Sequence, residues 1–338
     1  MRKVTMQDIA DSLGVSRVTV WKVFNNQNGV SSSLREAVLT KAQELGYTKN
    51  RIVSPVDQKE KTVSLIVSRP DSSTFWTNII HRMAQNLSFH SVNLLYTYMP
   101  SSYTHGFNLP AILTSNTIHG AIILNIYDSN LIALINTLEL PKVFLDTVPQ
   151  FTNHVLKGDL LLLEGFTTIY KITESVVTRG ITDISFVGDI HYAKTNLDRY
   201  LGYCQCMKDH HLQINDKKNF TGNIGIFSYR QELNSFLDSL PQLPQAFVCA
   251  SDYIAHFIQQ YLLDHPEKNP TGTIVTGYDG SREYSNVEGL ITTADVKTGL
   301  LGQRLSMQII YRMEHPDAPF ELTFINPEII YRDSVIYS

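Results

Sequence analysis

The sequence predicts two folds in one chain: an all-α module with a helix-turn-helix at its start, and a larger α/β body built on parallel sheets. In the first fifty residues, short helical patterns with clear caps follow one another closely. From residue 62, short runs rich in β-branched residues alternate with helical patterns, which is typical of βαβ units. At 338 residues the chain suits a small module plus one or two further domains.

Composition limits the class of protein. Hydrophobic residues make up 43% and charged residues 18% of the chain, and no apolar run approaches the ~18–20 residues of a membrane helix. No export signal precedes the first helical pattern, and three cysteines without a CxxC pair favour reduced thiols over a disulfide or a metal site. We therefore expect a cytoplasmic protein with no metal, no cofactor and no membrane partner.

Charge is distributed unevenly along the chain. Residues 1–61 hold ten Lys or Arg against six Asp or Glu, a balance of +4, whereas the whole chain carries −4. The remaining residues therefore carry −8. A basic start on an acidic body is typical of a phosphate-binding module attached to another domain.

The N-terminal module begins with two short helices. Thr5 followed three residues later by Asp8 has the spacing of a capping box, and Gly14 ends the pattern where left-handed backbone is needed. Only Val15 separates Gly14 from Ser16, a second N-cap candidate. So tight a turn between two helices predicts a helix-turn-helix unit.

The second helix has an outer face that is unusual for a solvated surface. Its predicted inward residues are Val20, Val23 and Phe24. The opposite face carries Arg17, Val18, Trp21 and Lys22, and in a major groove Arg or Lys can bond guanine while Val contacts a thymine methyl. Polar neighbours that could bind phosphates are Ser16, Thr19 and Asn25. A three-helix bundle without a nucleic-acid role is the alternative.

A third helix completes the module. Ser31 is its predicted N-cap and Gly46 its stop. Its predicted buried stripe consists of Val38, Ala42 and Leu45.

The segment VTMQDIADSLGVSRVTVWKVFNNQNGVSSSLREAVLTKAQELGY strongly resembles the start of LacI/GalR-family transcriptional regulators, without a gap through DIA, GVS, TV, VS and ELGY. The resemblance implies a lambda-repressor-like headpiece, residues 1–50, that binds operator DNA. It implies base-reading roles for Arg17, Val18 and Lys22. It implies phosphate contacts for Thr5, Ser16, Thr19, Asn25 and Ser31. Trp21 stands where the family usually has a small residue.

The linker, residues 51–61, departs from the family pattern. The resemblance implies a hinge helix with an apolar wedge for the minor groove, and Val56 stands at the wedge position. Pro55 is tolerated only in a first helical turn, and Asp57 adds negative charge where phosphates would lie. Either a shortened helix starts at Pro55, or the linker stays extended and does not insert. We favour the extended linker, which predicts weak DNA bending.

Eight strands are expected in the body, with ligands at their carboxyl ends. The candidates are Val63–Val67, Leu94–Tyr98, Ala121–Ile126, Val143–Asp146, Ile184–Val187, Ala246–Ala250, Ile274–Tyr278 and Leu290–Thr293. The motifs STFW, FLD, FVGD with RYLGY, AFVCASD and IVTGYDGS resemble, less closely than the headpiece, the family's two-lobed periplasmic-binding-protein-like (type I) effector domain. The resemblance implies effector contacts from Phe75, Trp76, Asp146, Arg199, Ser251 and Asp279.

The same resemblance implies a domain plan and partners. The effector and dimerisation domain spans 62–338, with crossovers near residues 160, 291 and 324. An N-lobe of about 62–160 and 292–324 faces a C-lobe of about 161–291 and 325–338. The implied partners are pseudo-palindromic double-stranded operator DNA at the nucleoid, a small-molecule effector of sugar type, and a second copy in a homodimer.

The favoured function is a repressor of carbohydrate-utilisation genes that a sugar releases from its operator. The alternative is a nucleobase or sugar-phosphate corepressor that strengthens DNA binding. A phosphate ligand needs two or more converging cations, and the sequence places only Arg199 in the pocket. A stand-alone solute-binding protein would fit the body but not the headpiece. No GxGxxG, GxxxxGK[ST], HExxH or GxSxG motif is present, so we do not expect an enzyme.

Overall fold

The computed structural model describes residues 4–24, 27, 29–45, 47, 61–68, 73–151, 155–225, 228–270 and 272–332. The chain divides into two units, Met1–Lys59 and Glu60–Ser338. Asn25 and the linker with Val56, two positions with predicted DNA contacts, lie outside the described residues. None of the described helices is long and apolar enough to span a membrane.

Three helices form the first unit: α1 (Met6–Leu13), α2 (Arg17–Phe24) and α3 (Ser32–Glu44). The Thr5 hydroxyl accepts from the Asp8 amide while Asp8 Oδ2 accepts from the Thr5 amide at 2.7 Å, which closes the predicted capping box. Gly14 ends α1 with φ of 62°, the left-handed backbone that glycine adopts at little cost. Ser31 Oγ accepts from the Leu34 amide at 3.3 Å at the start of α3.

The core of this unit follows the predicted apolar faces with one correction. Its fully or nearly fully buried members are Ile9, Ala10, Val20, Val23, Val38 and Ala42. Leu45, which the pattern assigns to the buried stripe, is 37% exposed because α3 ends at Glu44 and Leu45 lies in the following turn. Leu34, one turn before Val38, packs against the core instead.

The second unit contains strands and helices in alternation. The strands are β1 (Lys61–Val67), β2 (Val92–Tyr98), β3 (Gly120–Leu124), β4 (Lys142–Leu145), β5 (Asp159–Leu163), β6 (Ile184–Val187), β7 (Ala246–Cys249), β8 (Ile274–Thr276), β9 (Thr293–Asp295), β10 (Leu322–Ile325) and β11 (Glu328–Ile330). The helices are α4 (Thr74–Phe89), α5 (Ser129–Asn136), α6 (Phe166–Val177), α7 (Lys194–Asp209), α8 (Tyr229–Ser239), α9 (Asp252–Asp264) and α10 (Thr298–Glu314). Single 3-10 turns lie at Ala111–Thr114 and Pro266–Lys268.

Two parallel sheets define two lobes, as the sequence predicts. The first lobe has a six-stranded sheet in the order β10-β5-β4-β3-β1-β2. The second has β6-β7-β8, and parallel bridges from Thr276 and Asp279 to Thr292 and Asp295 extend it to the antiparallel pair β9-β11. The chain crosses between lobes after β5, between β9 and α10, and between β10 and β11, a few residues beyond the predicted positions 160, 291 and 324.

Both faces of the central strands of the six-stranded sheet are buried, as is typical of parallel sheets, while the edge strands β2 and β10 are partly exposed. On one face Val63, Leu65 and Val67 lie in the same core cluster as residues of α4 and α10, whereas Ile66 belongs to a separate cluster with α5 on the other face. The predicted strand Leu290–Thr293 is displaced to Thr293–Asp295 because residues 285–290 form turns, and Leu290 is exposed.

One buried ion pair ties α10 to the sheet. Arg312 and Asp159 are 1% and 0% exposed, and Arg312 Nε donates to Asp159 Oδ2 at 3.1 Å while Nη2 donates to Oδ1 at 2.5 Å. The same carboxylate accepts from Gln308 Nε2 at 2.7 Å and from the Glu321 amide at 2.9 Å. Asp159 therefore joins β5, α10 and the segment that enters β10.

Candidate functional site

The outer face of α2 is the first candidate site. Val20 and Val23 anchor its inner face in the core, which turns Arg17, Val18 and Trp21 outward. Val18 is 61% exposed and lies beside the exposed Arg17 and Trp21 on this face. This exposed face, with half-exposed Lys22 on the same helix, combines groups that can read base edges in a major groove.

The predicted phosphate-contacting hydroxyls lie at the helix starts. Ser16 Oγ and Thr19 Oγ1 are 2.8 Å apart, and Ser16 Oγ also accepts from the Thr19 amide at 3.0 Å. Thr5 and Ser31 cap α1 and α3. Each of these groups stands beside the positive end of a helix, where a phosphate oxygen is stabilised.

A cleft between the two lobes is the second candidate site. Asn125, Asp146 and Asp279 directly follow or closely follow β3, β4 and β8, and their φ values are 54°, 64° and 118°. Such left-handed backbone is uncommon for residues with a side chain and clusters at functional sites. The strand ends therefore combine polar side chains with strained backbone.

Asp146 connects the lobes. Its carboxylate accepts from the Thr147 amide at 2.8 Å, from the Thr195 amide at 3.3 Å and from the Thr195 hydroxyl, so one carboxyl group joins the end of β4 to the start of α7. Burial raises the pKa of Asp146, and the hydrogen bonds from Thr195 and Thr147 and the charge of Arg199 oppose that shift. The hydroxyl of Tyr192 adds a second connection, donating to Asn125 Oδ1 at 3.1 Å.

Arg199 lies deep in the same cleft. Only 5% of it is exposed, and its Nη1 donates to the Ala250 carbonyl at 2.6 Å and to Asn196 Oδ1 at 3.3 Å. Its guanidinium carbon lies 3.6 Å from the centroid of the Tyr278 ring. Among the described residues nothing accepts a hydrogen bond from its Nε. This buried N–H group is the donor of Arg199 that remains available to a ligand oxygen.

The carboxyl of Asp279 has a raised pKa. The pKa is raised to about 8, chiefly by burial and further by the charge of Asp252, while Arg199 opposes the shift. Asp252 is fully buried, accepts from the Ser281 amide and the Thr293 hydroxyl at 2.6 and 2.7 Å, and has its pKa raised by burial to about 6. The raised pKa favours the protonated form of the Asp279 carboxyl, which can donate to a ligand oxygen.

The other predicted effector residues have more varied surroundings. Phe75 and Trp76 occupy the first turn of α4 with ring centroids 5.2 Å apart at 87°, and Phe75 lines a cavity together with Asp279. Ser251 caps α9, since its Oγ accepts from the Ile254 amide at 3.3 Å. The structure thus brings Arg199, Asp146 and Asp279 together, with Phe75 near Asp279, and gives Ser251 a helix-capping contact. Their roles in effector binding stay predictions.

Tyrosines form much of the cleft, and the sequence motifs do not reveal them. The rings of Tyr127 and Tyr192, which come from different lobes, have centroids 4.3 Å apart. Burial, and after it the Asp146 carboxylate, raises the pKa of Tyr127 well above its usual value. Burial likewise raises the pKa of Tyr229, with smaller contributions from Tyr192 and Asp279 nearby. In the sequence, these tyrosines are distinguished only by lying after a predicted strand or near the start of a helix.

Two family models match this chain, one at the headpiece and one in the body. A family model described as bacterial regulatory proteins, lacI family, matches residues 5–50, and one for a periplasmic binding protein-like domain matches residues 173–335. The HTH-type transcriptional regulator RegA of Clostridium saccharobutylicum is 25% identical over 348 residues, 98% of this chain and 99% of the relative.

Two solved structures share the fold over nearly the whole chain. The transcriptional regulator CelR–cellobiose complex has a TM-score of 0.69 at 19% identity, over 98% of this chain and 100% of that one. The Lac repressor dimer bound to operator and the anti-inducer ONPF has a TM-score of 0.65 at 19% identity, over 98% and 99%. A helix-turn-helix headpiece on a two-lobed body of this kind defines a DNA-binding transcriptional regulator. The chain belongs to the LacI family of these regulators.

Proposed function

We propose that the chain represses carbohydrate-utilisation genes and leaves its operator when a sugar-type effector binds between the lobes. The observation that carries the DNA side is the outer face of α2, where Arg17 and Val18 are exposed at the start of a helix whose inner face is buried. The start of a recognition helix is the part that contacts base edges in the major groove. Arg17, Val18 and Lys22 read bases in this proposal.

A symmetric assembly follows from the DNA side of the proposal. One headpiece covers one half-site, so a homodimer on a pseudo-palindromic operator in double-stranded DNA provides two. The operator-bound Lac repressor with the same fold is a dimer. The regulator acts by binding rather than by catalysis, in the cytoplasm at the nucleoid.

The cleft supports an effector rich in hydroxyl groups. The free Nε of Arg199 and the carboxyl of Asp279 offer a donor and a donor–acceptor pair for vicinal hydroxyls. The ring of Phe75 offers flat apolar surface for the C–H face of a sugar. CelR, which shares the fold, is solved with cellobiose.

Lobe closure is the proposed switch. Asp146 with Thr195, and Tyr192 with Asn125, already join the lobes by hydrogen bonds. A ligand that contacts both sides of the cleft binds the closed arrangement better than an open one, and so shifts the population toward it. The operator affinity of the dimer then depends on whether the lobes are open or closed.

Operator selection with the full-length chain tests the DNA side. We expect a random duplex pool to yield one enriched pseudo-palindrome, and the variant Arg17→Ala/Lys22→Ala to lose that enrichment while the exposed control Arg179→Gln keeps it. Failure to enrich any symmetric sequence would contradict the proposal.

Fluorescence anisotropy on the selected operator tests the effector side. We expect at least one member of a panel of sugars, sugar phosphates and nucleobases to raise the operator Kd tenfold or more. A compound that lowers the Kd instead would identify a corepressor and reverse the proposed direction of the switch. No effect from any compound would contradict effector control.

A further inference from the structure

A cavity of about 750 Å³ opens beside the cleft. It is lined by α4, by the turn at residues 279–282 and by the start of α10, and Phe75 and Asp279 are among its lining residues. The volume lies in the range of small-molecule sites, about 300–1,000 Å³. A ligand that contacts Asp279 could therefore extend along the surface that α4 and α10 form.

Three basic side chains line this cavity: Arg82, Arg282 and Lys297. Arg82 lies over the first turn of α10, because a Cβ on Gly299 would be 3.5 Å from its Cγ and Nε. Its Nη1 donates to the neutral Gln85 Oε1, at 2.9 Å, and to no other group in the described part of the chain. A cation beside the positive N-terminal end of a helix is repelled by it. An anion bound between the cation and the helix end is attracted to both.

The acidic groups around the cavity bond to groups other than the two arginines. Lys297 Nζ pairs with Asp295 at 2.7 Å and with Glu328 at 3.0 Å, so one cation binds two carboxylates and these three groups together keep one negative charge. Glu283 Oε2 accepts from the amide and hydroxyl of Thr74, both at 3.0 Å. Burial raises the pKa of Asp279 to about 8, which favours its neutral form.

The arginines themselves have no carboxylate partner in the described part of the chain, where no ion pair within 4.0 Å involves Arg82 or Arg282. Arg282 is close enough to Asp295 for its charge to contribute to that group's lowered pKa, although burial acts in the opposite direction and Lys297 contributes more. Two planar guanidinium groups thus border one cavity in a body whose net charge is negative. Guanidinium groups bind phosphate and carboxylate through two parallel hydrogen bonds.

We propose that this cavity is an anion subsite of the effector site and that the effector is an acidic sugar derivative, whose phosphate or carboxylate binds Arg82 and Arg282 while its ring contacts Asp279 and Phe75. The inference rests on the proposed effector control and makes it more specific. It also supplies the converging cations that a charged effector needs. Amide side chains on the same walls, Asn78 and Gln303, add neutral donors for ring hydroxyls.

The test compares acidic sugars with their neutral parents on the full-length chain. The probes are glucose, galactose and ribose, their monophosphates, and glucuronate and galacturonate, each followed by thermal shift, calorimetry and operator anisotropy. We expect an acidic member to bind at least tenfold more tightly than its parent and to change operator affinity. The phosphate and uronate series distinguish the two anionic groups.

Matched arginine variants locate the subsite. Arg82→Gln/Arg282→Gln should weaken the acidic ligand at least tenfold while leaving operator binding without ligand unchanged. Arg179→Gln, an exposed arginine away from the cavity, should bind the ligand as the unaltered chain does.

Two results overturn the inference. If a neutral sugar binds as tightly as its acidic form and still releases DNA, effector control survives and the anion subsite is wrong. If no probe binds or changes operator affinity, both the subsite and sugar-type effector control fail.

Discussion

The guanidinium of Arg199 lies against the face of the Tyr278 ring, with its carbon 3.6 Å from the ring centroid. The tyrosine hydroxyl in turn donates to the Glu164 carbonyl at 2.8 Å, next to the first crossover between lobes. The Tyr278 ring therefore packs against the buried Arg199 of the cleft, and its hydroxyl is hydrogen-bonded to the crossover segment at Glu164. A cation over an aromatic face contributes about 2 kcal/mol where water is excluded.

Separate substitutions at Tyr278 should distinguish the ring from the hydroxyl. Tyr278→Phe keeps the ring beneath Arg199 and loses one hydrogen bond, so we expect a cost of about 1 kcal/mol in the free energy of unfolding. Tyr278→Leu also removes the aromatic face, and we expect about 2 kcal/mol more. Urea unfolding of the three proteins measures both steps. Equal costs for the two variants would show that the ring–guanidinium contact contributes nothing.

The buried pair of Arg312 and Asp159 should be far more sensitive than a surface pair. Arg312→Met leaves the Asp159 carboxylate buried without its cation, and we expect a loss of about 3–5 kcal/mol in the free energy of unfolding. The exposed pair of Lys157 and Glu139, with nitrogen and oxygen 3.4 Å apart, is the control, and Lys157→Met should cost about 1 kcal/mol or less. Denaturant titration checks both. Similar losses for the two variants would contradict a structural role for the buried pair.

Local signals in the sequence predict the headpiece closely. The capping box of Thr5 and Asp8, the left-handed Gly14 and the cap at Ser16 depend on residues three or four positions apart, and all three occur in the structure. Leu45 is the exception, because the spacing of apolar residues does not show at which residue α3 ends.

Long-range contacts explain what the sequence does not predict in the body. β5 begins with Asp159, a charged residue that is buried only because Arg312, 153 positions later, pairs with it. β10 and β11 are short and half-exposed, so their apolar pattern is weak. The cleft tyrosines Tyr127 and Tyr192 come from different lobes, so their contact depends on how the two lobes pack together.

The raised pKa of Asp279 predicts a pH dependence of stability. A carboxyl whose folded pKa is about 8 binds its proton more strongly than in the unfolded chain, where the value is near 3.8. Between about pH 4 and pH 8 the folded protein therefore holds more protons, and stability falls as pH rises, by at most about 1.4 kcal/mol per pH unit. Asp279→Asn removes this dependence, so we expect the variant to gain stability relative to the unaltered chain as pH approaches 8.

Thermal unfolding across pH 4 to 8 measures the difference between the two proteins. Asp317→Asn, at an exposed position in the turn after α10, is the control and should leave the slope unchanged. A parallel pair of curves for Asp279→Asn and the unaltered chain would mean that Asp279 is ionised in the folded state at neutral pH.

The exposed face of α2 predicts two distinct effects on DNA binding. Arg17→Ala removes a group that can bond a base edge, so we expect a loss of about 1–3 kcal/mol at particular base pairs and relaxed preference there. Thr19→Val keeps the shape of the side chain but removes the hydroxyl beside Ser16, and we expect weaker binding to all sequences about equally. Competition binding against a library of single-base operator variants measures both patterns. An Arg17→Ala protein that keeps the original base preference at every position would remove Arg17 from the reading face, because a contact to phosphate alone changes affinity without changing preference.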